Sequence, residues 1–315
     1  MKLIFKLVKW LVSFILIIVV AGSVYISYET VQQITHLSDP QQSKENSIQM
    51  LKEHQFDFEA FKQKYDYTES NIPSSFQDHD ISFANIAPSN AKRGTVVMAH
   101  GLGGSKESVF IQAKVFLDLG YHVVAYDQRN SGDNTADTNT FGVHESKDMI
   151  DIIQTVQKNY QPQSLIVWGE SFGGATATLA VAELGNDFVD GLILDSPMND
   201  GKSIVEMNMA EIPEQTGLPM AYLMFLGDLG LKVSQNFSFE DAMASKRLQG
   251  NTTPLLVIHS KTDSVIPYEM GQAIYEASAS KDKQLHTVEK GEHVMLVHEN
   301  PKTYQQVITD FLSDK

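Results

Sequence analysis

Positions 10 to 28 carry no charge: Trp10 is followed by Leu11-Val-Ser-Phe-Ile-Leu-Ile-Ile-Val-Val-Ala-Gly-Ser-Val-Tyr-Ile-Ser-Tyr28. A helix of about 20 apolar residues, rising roughly 1.5 Å each, matches a hydrocarbon core of about 30 Å, so this stretch predicts a transmembrane helix. Trp10 and the pair Tyr25/Tyr28 fall where interfacial aromatics sit. Lys2, Lys6 and Lys9 predict a cytoplasmic N-terminus, with the rest of the chain outside the cell. A cleaved signal peptide with Ala21-Gly22-Ser23 as its small-residue site is the competing reading. Apolar character running on to Tyr28 favours a single-pass anchor over residues 1–28.

After the anchor the pattern turns polar. Residues 29–75 read as a spacer followed by a packing helix, with Phe58, Phe61 and Tyr65 at helical spacing. Residues 76–315 then alternate between two periods. Strands are expected at 81–86, 95–99, 122–126, 164–168, 192–194, 255–258 and 284–288. Helices are expected near 106–119 and at 144–159, 172–184, 268–279 and 301–313. Strands alternating with helices predict an α/β fold: a mainly parallel sheet flanked by helices, with ligands beyond the C-terminal strand edges. One segment, about 199–250, breaks the rhythm and is rich in methionine (Met207, Met209, Met220, Met224, Met243). It reads as a helical cap insertion, packed by adaptable side chains and offering an apolar underside to substrate.

Composition narrows the function. The 315 residues suffice for one large domain, and the absence of cysteine removes disulfides, thiolate metal sites and a Cys nucleophile together. Without residues 1–28, which hold three lysines and no acid, the formal balance moves from −15 to −18. Such a surface repels phosphate backbones, and nucleic acid is not an expected partner. His144-Glu145 lacks further ligands at metal spacing, so neither metal nor cofactor is expected.

The candidate chemistry centres on Gly169-Glu170-Ser171-Phe172-Gly173-Gly174, between the apolar run Leu165–Trp168 and a small-residue helix. A serine between glycines at a strand-to-helix turn presents its hydroxyl at the tip of a sharp bend. A serine hydroxyl needs a base to take its proton, and that base needs an acid to hold its tautomer. Asp263, after the strand at 255–258, and His293, after the strand ending near Val288, both lie on loops of the right kind. His298 is a rival base and Asp195 a rival acid. His100 is expected to serve as a structural hydrogen-bonder, and Glu170 to pack or pair locally.

From about Ala91 onward the chain resembles the α/β-hydrolases of the serine esterase/peptidase-like group. The resemblance rests on five ordered motifs: His100-Gly101-Leu102-Gly103-Gly104, Asp127-Gln128-Arg129-Asn130-Ser131-Gly132, the elbow at Ser171, Thr262-Asp263-Ser-Val-Ile-Pro267, and Gly291-Glu-His293. It departs at Asp133-Asn134, where the group often has a serine. The resemblance implies acyl transfer, with Ser171 as nucleophile, His293 as base, Asp263 orienting it, and the backbone N–H groups of Leu102 and Phe172 as oxyanion hole. The expected activity is hydrolysis of carboxylic esters of small or apolar acyl groups, by a membrane-anchored enzyme facing outward. A peptidase of the same fold, and a non-catalytic binding module, are the alternatives.

Overall fold

The computed structural model describes residues 1–89, 91–313 and 315. In chain order the elements are α1 (Lys2–Thr35), α2 (Pro40–Glu53), α3 (Phe58–Lys64), β1 (Asp66–Pro73), β2 (Asp80–Ala87) and β3 (Thr95–Ala99). A 3₁₀ turn (Lys106–Val109) leads into α4 (Phe110–Asp118), then β4 (His122–Tyr126), α5 (Val143–Tyr160), β5 (Leu165–Glu170), α6 (Ser171–Leu184) and β6 (Gly191–Asp195). The insertion holds α7 (Gly201–Asn208), α8 (Ile212–Thr216) and α9 (Met220–Ser234). The chain closes with α10 (Ala244–Leu248), β7 (Leu255–Ser260), α11 (Tyr268–Ala277), β8 (Lys283–Val288), α12 (Leu296–Glu299) and α13 (Pro301–Phe311).

Two compact units result. The larger, His36–Gly201 with Glu240–Lys315, is built on an eight-stranded sheet in the order β1-β2-β4-β3-β5-β6-β7-β8. β1 and β2 pair antiparallel, as do β2 and β4; every other pairing is parallel. Strand alternation divides the core. Val96, Met98, Ile166, Trp168 and Ile193 face the side covered by α4 and α13, with Phe110, Phe116, Tyr304 and Phe311. Val97, Ala99, Val167, Leu192 and Leu194 face α5, α6, α10 and α11. Burial on both faces is why these strands are near-continuous apolar runs.

The region 29–75 holds more structure than a spacer. Asp39 caps α2 by accepting the Gln42 N–H, and Pro40 occupies the first turn, where its missing donor costs nothing. Leu51, Phe61 and Tyr65 enter the core on the α4 side. The edge strand β1, Asp-Tyr-Thr-Glu-Ser-Asn-Ile-Pro, has no apolar run to reveal it; its pairing with β2 defines it. The short helix α12 was likewise not expected.

The smaller unit is Met1–Thr35 with Lys202–Phe239. α1 continues past Tyr28 to Thr35, and its last turns bury Thr30, Val31, Ile34 and Thr35. The part of the insertion that separates from the sheet is therefore narrower than 199–250. Ala244 and Leu248 of α10 belong to the sheet's own core.

Candidate active site

Ser171 stands at the β5–α6 junction with φ +53°, a left-handed conformation rare for a residue other than glycine. The bend is enforced by close approach. A methyl on Gly173 would lie 2.3 Å from the Ala99 carbonyl oxygen and 2.4 Å from that of His100, so α6 begins hard against the end of β3. A methyl on Gly101 would lie 3.4 Å from Ser171 Cβ, which puts the loop after β3 beside the serine. The Ser171 carbonyl accepts the Met198 N–H at 2.9 Å.

Asp263 and His293 come together from the loops after β7 and β8. His293 Nδ1 donates to Asp263 Oδ2 at 2.7 Å. Asp263 Oδ1 accepts the backbone N–H groups of Val265 and Ile266 at 2.9 and 2.8 Å, so the carboxylate is held by its own turn. His259 Nε2 is 3.4 Å from Oδ2. Burial alone would raise the Asp263 pKa. The nearby His259 ring, the hydrogen bond from His293 and the charge on His293 instead hold it well below the usual carboxylate range. A carboxylate kept ionised against Nδ1 fixes that nitrogen as the protonated one and leaves Nε2 as a proton acceptor. The residue after it, Val294, has φ +51°, a strained setting for a β-branched side chain.

The remaining candidates separate cleanly. His298 stacks on His54 with ring centroids 3.7 Å apart, on α12. His100 is buried, with Nδ1 donating to the Gly101 carbonyl at 2.7 Å and Nε2 accepting the Gln128 N–H at 3.0 Å. Burial lowers its pKa to about 4, as suits a neutral ring that ties two loops together. Glu145 turns back to accept from Thr140 and Gly142, capping α5. At the departure from the group's pattern, Asp133 accepts from Lys106 Nζ at 2.7 Å and from Lys44 Nζ at 2.6 Å. Lys106 is fully buried and also bonds Asp127 at 2.8 Å.

Glu170 does more than the sequence suggested. Its Oε1 accepts the Gly101 N–H at 3.3 Å and its Oε2 accepts from Gln112 at 3.0 Å, joining the elbow to the loop after β3. On the neighbouring strand its register partner is Asp195. Two buried carboxyls on one rung repel. Burial first, then the Asp195 charge, raises the Glu170 pKa to about 8. Burial likewise raises Asp195 to about 6, against the opposing pull of His293. The Tyr304 hydroxyl accepts the Trp168 Nε1–H at 3.2 Å. It is Asp263, not Asp195, that His293 bonds. A sequence signal for the acid pair existed: both Leu165–Gly169 and Leu192–Leu194 are apolar runs that end in an acid.

Comparison with known proteins bears on the fold that carries these residues. Residues 94–219 match the family model described as alpha/beta hydrolase fold, and residues 237–301 match that of serine aminopeptidase, S33. The uncharacterized protein YqkD of Bacillus subtilis is 28% identical over 258 residues, covering 82% of each chain. The lysophosphatidylserine lipase ABHD12 of Danio rerio is 26% identical over 63% of this chain, which spans 52% of that lipase. Among solved structures, the Pyrococcus furiosus esterase Pf2001 superposes with a TM-score of 0.64 at 20% identity, over 80% of this chain and 92% of its own. The chain belongs to the α/β-hydrolase superfamily. It is a serine hydrolase.

Proposed function

We propose that the protein hydrolyses carboxylic esters of small or apolar acyl groups through an acyl-enzyme on Ser171. The observation that carries this reading is the 2.7 Å bond from His293 to Asp263, together with the strained serine at the mouth of β5. Ser171 Oγ attacks the ester carbonyl carbon while its proton passes to His293 Nε2. The N–H groups of Leu102 and Phe172 hold the oxyanion, and donors of this kind are typically worth about 2.7–4 kcal/mol each in the transition state. Collapse expels the alcohol, which takes the proton from His293. Water then repeats the sequence, releasing the acid and restoring the serine. Asp263 stays ionised throughout and orients the ring.

The relatives' names support an ester of lipid kind, so single-chain acyl lipids are the first substrates to try. A peptidase activity is the second reading, because the serine aminopeptidase match covers the segment with Asp263 and His293. A fluorophosphonate probe should label the wild-type protein and not Ser171→Ala. Failure to label wild type would favour a binding module over an enzyme. Turnover of short acyl p-nitrophenyl esters against aminoacyl anilides separates esterase from peptidase.

The apolar stretch of α1 supports a place in the cell membrane as a single-pass protein, with the catalytic body outside. Proteinase added to intact cells should then remove the body and leave a short N-terminal fragment.

A further inference from the structure

The insertion is fastened to the membrane helix itself. Ser23 Oγ and the Tyr222 hydroxyl are 2.7 Å apart, and Ser27 Oγ donates to the Leu226 carbonyl at 2.7 Å. A methyl on Gly230 would lie 2.6 Å from Val31 Cγ2 and 2.5 Å from Ser27 Oγ, and one on Gly227 would lie 3.1 Å from Thr30 Cγ2. Both hydrogen bonds join residues 199 apart in sequence, and Val31 and Gly230 keep that offset. α9 therefore runs parallel to α1 in fixed register, through small residues that let two backbones approach closely, as helices do inside bilayers.

Fixed register fixes height. Moving back along α9 from Tyr222 descends beside the apolar stretch of α1, so Met220 lies level with Ala21. Residues 217–227, Gly-Leu-Pro-Met-Ala-Tyr-Leu-Met-Phe-Leu-Gly, carry no charge. The first charge on α9 is Asp228, and its partner in register is Glu29, the first charge on α1 after Lys9. The two helices thus turn from apolar to charged at one level. Above and below that level, α9 exposes a stripe at four-residue spacing: Ala221, Phe225 (63% exposed), Leu229 (47%) and Val233 (81%). Val24 and Tyr25 of α1 are similarly bare at 65% and 64%. Water is a poor solvent for such a face. Glu211 and Glu214 before α9 and Asp228 within it bracket a stretch too short to span, so α9 occupies the boundary between headgroups and acyl chains.

We propose that α9 is a second membrane-contacting element, seated beside the anchor in the outer leaflet with Phe225 and Leu229 against lipid. This inference rests on the reading of α1 as a membrane helix. It makes the insertion a contact with the layer in which single-chain lipid esters reside.

The native absence of cysteine makes the test direct. The full-length protein, carrying one cysteine at Val24, Phe225, Leu229, Val233 or Lys261, is labelled with an environment-sensitive fluorophore in phosphatidylcholine vesicles. Lipids with nitroxides at set depths serve as quenchers. Quenching of the Val24→Cys label and of the Phe225→Cys and Leu229→Cys labels, weakening towards Val233→Cys and absent at Lys261→Cys, is expected. Quenching at Val24→Cys but none at Phe225→Cys or Leu229→Cys overturns the proposal for α9 and leaves the anchor standing. No quenching at Val24→Cys overturns the anchor reading instead. Blue-shifted but unquenched labels at Phe225→Cys, with disulfide-linked dimers on oxidation, would mean that a second copy covers the stripe, which also overturns the proposal. Thermal unfolding of each variant, compared with wild type, confirms that the helices stay docked.

Discussion

At the scale of single residues, two acids, Asp263 and Glu170, are poised in opposite ways. Asp263 is held ionised, so its stabilisation is present above the ordinary carboxylate pKa and is lost as pH falls through that range and below. Glu170, raised to about 8, binds its proton more tightly folded than unfolded. Its contribution is greatest on the acid side and is lost as pH rises from the ordinary carboxylate range through about 8. Wild-type melting temperature should therefore fall between pH 6 and pH 9. Glu170→Gln keeps an acceptor for the Gly101 N–H but cannot ionise, and it should flatten that fall by about 2 °C, as roughly 1.3 kcal/mol would do in a chain of this size. An unchanged pH slope in the variant would refute the assignment. Ser171, Asp263 and His293 can each be singled out in the sequence because each follows an apolar run that ends at the sheet's rim; of the three, Asp263 and His293 are joined by a hydrogen bond. The pairing of Glu170 with Asp195 was not legible there, since only strand register makes neighbours of acids 25 residues apart.

Elements were legible in proportion to how completely they are buried. The parallel strands β3 to β7 read as apolar blocks because helices cover both of their faces, and their ends fell close to the expected positions. β1 escaped notice because an edge strand that alternates tyrosine, threonine and glutamate has no hydrophobic signature. α2 escaped because its inward side is largely small and polar, Ser43 and Ser47, with Leu51 the large apolar group it buries and Met50 packed partly against the core. Where β5 meets α6 the elements leave no room for a side chain at residue 173. Gly173→Ala should destabilise the protein by about 3 kcal/mol, the upper part of the range for overpacking, and reduce fluorophosphonate labelling in the fraction that still folds. Its clash is with backbone, which cannot swing aside. Equilibrium denaturation in urea measures the loss, and a change under about 0.5 kcal/mol would contradict the close approach described.

On the scale of the whole chain, the sequence divides at Tyr28, whereas the structure groups α1 through Thr35 with residues 202–239. Hydropathy sees the end of an apolar run; it does not see that the last turns of that helix are half of a small core. Removing residues 1–35, the obvious way to obtain a soluble enzyme, should therefore bare the Gly227–Gly230 surface of α9. The trimmed protein is expected to bind a hydrophobic dye more strongly than the full-length protein in detergent, and to self-associate on gel filtration. A monodisperse, dye-silent trimmed protein would show that α9 needs no partner.

The constant offset of 199 residues between the bonded positions of α1 and α9 also orders events at the ribosome. The first helix leaves the exit tunnel long before its mate exists. On the reading of α1 as a membrane helix, it waits in the translocation machinery or the lipid, its serines and glycine-matching groove unclaimed, while most of the parallel strands are still being made. Completion of this pair is thus a late checkpoint in biogenesis, and a chain stalled before residue 220 would be tethered yet unfinished.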